Sequence, residues 1–134
     1  MRILQPPGWP RPKGYANGVE AQGRLVFTAG LVGWDADGRF ADGMVAQFRQ
    51  TLLNVIAVLA EAGAEPHHIV RMTWYITDKA QYLASAPEIG KVYRSIVGKH
   101  FPAMAVVQVS ALIEDAALLE IETTAVVPEL SSNL

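Results

Sequence analysis

Two glutamates near the end of the chain are the residues best placed to do chemistry. In Leu119-Glu120-Ile121-Glu122-Thr123-Thr124-Ala125, apolar and polar residues alternate. On a β-strand this puts Leu119, Ile121, Thr123 and Ala125 on one face and Glu120, Glu122 and Thr124 on the other. Two carboxylates on a largely covered face must be solvated, paired or protonated. Such groups suit general acid–base work, in which a carboxylate positions a water and takes its proton. An inter-subunit salt bridge or a solvent-facing edge fits the same pattern, and alternation alone does not choose. Gly30-Leu31-Val32-Gly33 is likewise open: a plain chain reversal, or backbone N–H groups facing an anion. No phosphate-loop Gly-Lys-Ser/Thr accompanies it.

Other reactive groups point away from several functions. The chain has no cysteine, which excludes disulfides, thiolate zinc sites and a cysteine nucleophile. His67 and His68 are adjacent, so their side chains are expected to diverge and to make poor metal co-ligands, and His100 is remote. No metal site is predicted. Asp35-Ala36-Asp37-Gly38 lacks the glycine spacing and closing glutamate of a calcium loop and reads as a turn. No serine lies in a nucleophile elbow, and no Ser/His/Asp set is evident. Trp34, Trp74 and Tyr75 have no basic residues interleaved, so they read as core or interface and not as a base-stacking platform. The net charge of −2, with lysines and arginines scattered, argues against nucleic acid as a partner. Thr51 to Ala60 is too short to span a bilayer, and Met1 to Trp9 is no signal peptide, so no membrane partner and a cytoplasmic location are expected.

The elements that must position these residues follow from periodicity. The length of 134 residues suits one domain, 1–134, whose proline-rich residues 1–13 form an extended N-terminal arm. Tyr15 to Ala29 is predicted as a hairpin turning at Gln22-Gly23. Val45, Phe48, Leu52, Val55, Ile56 and Leu59 recur at helical spacing, which predicts a helix from Asp42 to Ala62, capped by Asp42 and closed by Gly63. Ile69 to Thr77 reads as a strand. Asp78 then caps a second helix over 80–97, with Leu83, Ile89, Val92, Tyr93 and Ile96 as its apolar set and a kink or separate turn at Pro87. Strands over 103–112 and 117–127 complete an α+β layer, two helices on one face of a mixed sheet of five or six strands. Both faces of the strand at 103–112 carry apolar residues. A face that the chain's own helices leave uncovered usually meets another subunit, so a homo-oligomer is expected.

Several segments together resemble the Rid (YjgF) family of enamine/imine deaminases. They are Gly14-Tyr15-Ala16-Asn17-Gly18-Val19, Phe27-Thr28-Ala29-Gly30-Leu31-Val32-Gly33 and the helix from Gln47 to Gly63, followed by His68-Ile69-Val70-Arg71-Met72-Thr73 running into Trp74-Tyr75-Ile76-Thr77-Asp78. Phe101-Pro102-Ala103 and Leu119-Glu120-Ile121-Glu122 complete an ordered set over Lys13 to Val127. The resemblance implies the chorismate-mutase-like fold and a homotrimer with sites in the clefts between subunits. It also implies hydrolysis of reactive enamines or imines to a carbonyl compound and ammonia, with no metal or organic cofactor. Carried over by position, the water-holding glutamate is Glu120, with Glu122 as its neighbour. The pocket tyrosine is Tyr15, and the backbone donors are Gly30 and the strand around Val106.

Departures from the family pattern are as informative. The family's Pro-Ala-Arg is Pro102-Ala103-Met104 here, so methionine stands where an arginine clamps the substrate carboxylate. A thioether cannot replace a bidentate pair worth about 2–5 kcal/mol. Ala29 replaces a serine, Leu31 a glutamine and Gly90 a pocket asparagine. All four changes make the pocket less polar. They suggest a substrate larger or less anionic than a short 2-imino acid, unless Arg71 or Arg94 supplies the charge. A non-catalytic trimeric ligand-binding protein on the same scaffold is the alternative. A ribonuclease, attributed to some relatives, fits the acidic composition poorly.

Overall fold

The structure is a computed structural model that describes residues 1–129. Its elements run β1 (Arg2–Leu4), β2 (Gly18–Glu20), β3 (Arg24–Phe27), α1 (Met44–Glu61), a one-turn 3₁₀ helix (Pro66–His68), β4 (Ile69–Ile76), α2 (Lys79–Ile96), β5 (Ala103–Gln108) and β6 (Leu119–Val127). Six strands are present among the described residues. Four form a mixed sheet in the order β3-β6-β4-β5, and β1 and β2 pair as a separate antiparallel ribbon. Within the main sheet β4 and β5 are parallel, while β6 runs antiparallel to both β3 and β4.

The predicted hairpin over 15–29 does not form. Its first arm, β2, pairs with β1, and its second, β3, pairs with β6. The N-terminal arm, expected to be merely extended, thus supplies a strand partner. Ala16 also bridges Ala103, its N–H donating to the Pro102 carbonyl at 2.9 Å, which ties the arm to the edge strand β5.

The stripe on α1 is buried as its spacing requires, with Phe48, Leu52, Val55 and Leu59 at or near zero exposure. They pack on Met72, Trp74, Leu119 and Ile121 from the sheet. Phe48 meets Trp74 edge to face at a centroid distance of 4.8 Å. The helix starts at Met44 behind Gly43 with no side-chain cap, so Asp42 does not cap it. Its end does follow the sequence. Gly63, at φ +71°, donates to the Ala60 carbonyl and Ala64 to the Leu59 carbonyl, closing a Schellman turn.

Asp78 caps α2 by accepting from Gln81 N–H at 3.0 Å. Pro87 neither breaks α2 nor splits off its first turn; the helix is continuous from Lys79 to Ile96. Leu83, expected in the core, is 57% exposed, and the half-buried Tyr82 takes its place against the core. Among the described residues no helix is long and apolar enough to cross a membrane.

Two amides on α1 hold the segments that carry the site. Buried Gln47 donates from Nε2 to the Ala116 carbonyl at 2.9 Å and accepts from Leu118 N–H at 2.8 Å, fixing the entry to β6. Two turns later Asn54 donates to the carbonyls of Val32 and Trp34, fixing the loop after β3. Gln47→Leu keeps the volume but orphans both backbone partners at β6. We expect it to destabilise the fold by about 2–4 kcal/mol, read as a lower urea midpoint at unchanged slope.

Candidate functional site

Alternation on β6 sorts its side chains cleanly. Leu119, Ile121, Thr123 and Ala125 are buried beneath the helices, while Glu120 is half-buried and Glu122 exposed on the helix-free face. Opposite them on β4 stand Tyr75 and Thr73. After β3 the chain stays alongside β6. Thr28 N–H donates to the Thr123 carbonyl, and Leu31 and Ile121 exchange a pair of hydrogen bonds at 2.9 Å. Ala29 and Gly30 lie between these anchors. A Cβ at Gly30 would sit 2.7 Å from the Glu120 carboxyl carbon and 3.0 Å from each of its oxygens. The carboxylate therefore rests on glycine backbone that any side chain would push it from. Among the described residues Glu120 accepts no hydrogen bond and joins no salt bridge.

Its neighbour is engaged. The Tyr75 hydroxyl donates to Glu122 Oε1 at 2.7 Å. That hydrogen bond is the main cause holding the Tyr75 phenol above the usual tyrosine range, reinforced by desolvation and by the charges of Glu122 and Glu120. Arg71 also lies on this face, lining a shallow depression with Phe27, Thr73 and Glu122.

On the opposite side of the sheet, α2, β5 and the N-terminal arm enclose a cavity of about 460 Å³. Its aromatic wall is Tyr15, Trp74, Tyr82, Tyr93 and Phe101, and Met104, Val106 and Ile89 add apolar surface. Burial raises the phenols of Tyr82 and Tyr93 above the usual range, so both are neutral. Tyr93 donates to the His100 carbonyl at 2.6 Å and stacks on Phe101. Two charged residues line the cavity, Lys13 and Arg94, and both are cations.

The residues singled out in the sequence thus fall into two groups. Ala29 and Gly30 lie beside Glu120, whereas Leu31, paired with Ile121, turns its side chain to the core; Tyr15, Gly90, Met104 and Val106 line the cavity. Within one chain the groups are on opposite faces. Met104 is in register with core residue Met72, whereas Glu120 is in register with Tyr75 across β4 and β6. Sequence reasoning did not assign Tyr82, Tyr93, Phe101 and Lys13 to the cavity. A signal existed for the helical ones: Tyr82, Ala86, Ile89, Gly90, Tyr93 and Arg94 form one face of α2 at helical spacing.

His67 and His68 do not diverge, because the 3₁₀ turn brings their rings to a centroid distance of 4.2 Å. With Glu65 they present ligand-type atoms all within 4.8 Å of one another. His68 Nδ1 is already used, accepting the Glu65 N–H at 2.9 Å, and desolvation followed by the neighbouring His67 lowers its pKa. His100 is half-buried, with Nε2 2.6 Å from the Ile69 carbonyl.

Two helices on one face of a mixed sheet, and a carboxylate under a glycine turn on the other, define the class as a chorismate-mutase-like α+β protein. Residues 10–127 match the family described as Endoribonuclease L-PSP, and the chain belongs to this family, the Rid or YjgF proteins. A RutC family protein of Haemophilus influenzae is 35% identical over 105 residues, 78% of this chain and 80% of that one. The 2-iminobutanoate/2-iminopropanoate deaminase of Salmonella typhimurium is 33% identical over 116 residues, covering 84% and 86%. Among solved structures, a Rid-family protein from Yersinia pestis superposes with a TM-score of 0.79 at 34% identity, covering 94% of this chain and 98% of that one. Escherichia coli TdcF with bound serine gives 0.67 at 32% identity, covering 94% and 98%.

The Tyr75–Glu122 contact sets an expectation for titration. Ionising Tyr75 removes the shared proton and places a phenolate against a carboxylate, so the transition lies above that of an ordinary tyrosine. Any stability from the pair is present below pH 10 and fades as pH rises through the elevated value. Glu122→Gln removes the charge and should lower the Tyr75 transition, read by tyrosine ζ-carbon NMR.

Proposed function

We propose that this protein is a hydrolytic deaminase of a reactive enamine or imine, releasing a carbonyl compound and ammonia. Its family includes named deaminases of this kind, which supports the reaction class. The observation that carries the reading is the state of Glu120. It is a half-buried carboxylate seated against Gly30, with no protein partner among the described residues, and so is available to hold a water. Glu122, two residues on, is exposed and occupied by Tyr75.

In this reading an enamine first tautomerises to its imine. Glu120 accepts a proton from the bound water as the oxygen adds to the imine carbon, giving a carbinolamine. That proton passes to the nitrogen and completes the carbinolamine. Its hydroxyl then gives up the second proton, relayed by Glu120 to the nitrogen, as the C–N bond breaks, ammonia leaves and the C=O bond forms. Atoms balance with one water consumed and no cofactor. Short 2-imino acids are not the preferred substrate, since Ala29, Gly90 and Met104 remove polar contacts. The family description as a ribonuclease gains no support from a net charge of −2.

We further infer a homotrimer, in which the Glu120 group of one subunit and the cavity of the next share a cleft. Two observations support this. The groups lie on opposite faces within one chain, and the helix-free face exposes Phe27 at 66%, Leu25 at 61% and Val107 at 41%. Sedimentation should give three times the chain mass, and Phe27→Asp should shift the protein towards monomer.

Turnover tests the chemistry. With imines generated in situ and semicarbazide as the competing trap, wild type should accelerate hydrolysis, and Glu120→Gln should reduce the rate by about 10²-fold or more. If wild type binds the corresponding oxo acid yet accelerates no imine hydrolysis, the protein is a ligand binder and the catalytic reading fails.

A further inference from the structure

Position 104 holds methionine where a carboxylate clamp would stand, yet the cavity around it has not become neutral. Arg94, one helical turn after Gly90, lines the same cavity as Met104 and Val106. A Cβ at Gly90 would come within 3.2 Å of Arg94 Nη1, so the guanidinium lies over the glycine. Glycine in a helix interior is unfavourable relative to alanine, and it calls for a local reason. Here the reason is space, because the missing side chain is the seat of the guanidinium. Among the described residues Arg94 joins no salt bridge and its side chain makes no hydrogen bond, so its donors are free. Lys13 is the second cation on the cavity wall, and no acidic residue lines it. Arg71 lies on the other face of the sheet and cannot serve this cavity in the same chain.

We propose that Arg94, seated over Gly90 and assisted by Lys13, is the carboxylate clamp of this protein. Its ligand is a carboxylate with an aromatic or bulky apolar body. The substitutions at positions 90 and 104 then act as a pair: losing the side chain at 90 makes room for a cation arriving from α2. Methionine at 104 adds adaptable apolar surface facing the body of the ligand. Five aromatic side chains and about 460 Å³ suit a ring-sized body far better than a two-carbon chain. The guanidinium fork matches a carboxylate in geometry as well as charge. This assignment deepens the deaminase reading and rests on it for the reacting group, but not for the binding.

Binding of stable 2-oxo acids isolates the clamp from catalysis. By calorimetry, phenylpyruvate should bind the wild-type protein at least about tenfold more tightly than 2-oxobutanoate, and more tightly than phenylacetone, which lacks the carboxylate. Arg94→Gln should weaken phenylpyruvate by about tenfold or more, and Arg94→Lys should fall between them, keeping the charge without the fork. Thermal stability should be unchanged in both, since the guanidinium holds nothing in the fold. Gly90→Ala should raise the Tm by about 2–5 °C while weakening phenylpyruvate, a split that a merely structural role would not produce. Equal binding of phenylacetone, or full phenylpyruvate affinity in Arg94→Gln, overturns the clamp. Arg94-dependent binding without imine turnover leaves the clamp standing and removes the deaminase reading. Turnover that survives Arg94→Gln unchanged does the reverse.

Discussion

The parity of β6 is the constraint on which the rest of the molecule depends. This strand lies between β3 and β4, and every second residue, from Leu119 to Ala125, is sealed beneath the helix layer, chiefly α1. Shifting it by one residue would drive Glu120 and Glu122 into the core and expose four apolar or small side chains, so the register is strongly specified. Gln47 reinforces it from the helix layer by holding the backbone just before the strand. With the register set, Glu120 has one place to go, and the turn at Gly30 is hydrogen-bonded down over it.

The same parity separates the two halves of the candidate site. β4 pairs with both β5 and β6, so it relays one phase across the sheet: Met72 aligns with Met104 and Thr123 on the core side, and Tyr75 with Glu120 and Val107 on the other. No rotamer change brings Glu120 and Met104 together in one chain. In the proposed assembly, the carboxylate on a face with exposed Phe27 and Leu25 meets the aromatic cavity of the next copy. The proposed assembly is thus a condition for the proposed chemistry and not an addition to it.

Charge has moved without leaving. Arginine at 104 would enter the cavity from the edge strand β5, whose backbone is laddered to β4 on one side. Arg94 enters from a helix and is exposed, so its hold on an anion is more sensitive to ionic strength. The walls compensate through contact area. Neutral Tyr82, the Tyr93–Phe101 stack and Trp74 offer dispersion and apolar burial that a small imino acid could not use.

By itself, the sequence determined the two helices, the strand at 69–76, the face each residue of β6 takes and, through ordered motifs, the family. These are local or periodic properties, decided by spacing within one segment. It misread what depends on partners far along the chain. β2 and β3 look like a hairpin because Gly23 punctuates them, but β6 offers β3 longer pairing and β1 captures β2. Pro87 stays within a continuous helix because α2 packs on α1 and on Trp74 of the sheet through its other residues, while Pro87 itself faces solvent. His67 and His68 meet because a 3₁₀ turn, invisible to side-chain periodicity, folds one ring over the other. The tertiary structure alone decided that Arg94, and not Arg71, shares a cavity with Met104. That outcome depends on which side of a sheet each element packs, and no spacing along the chain records it.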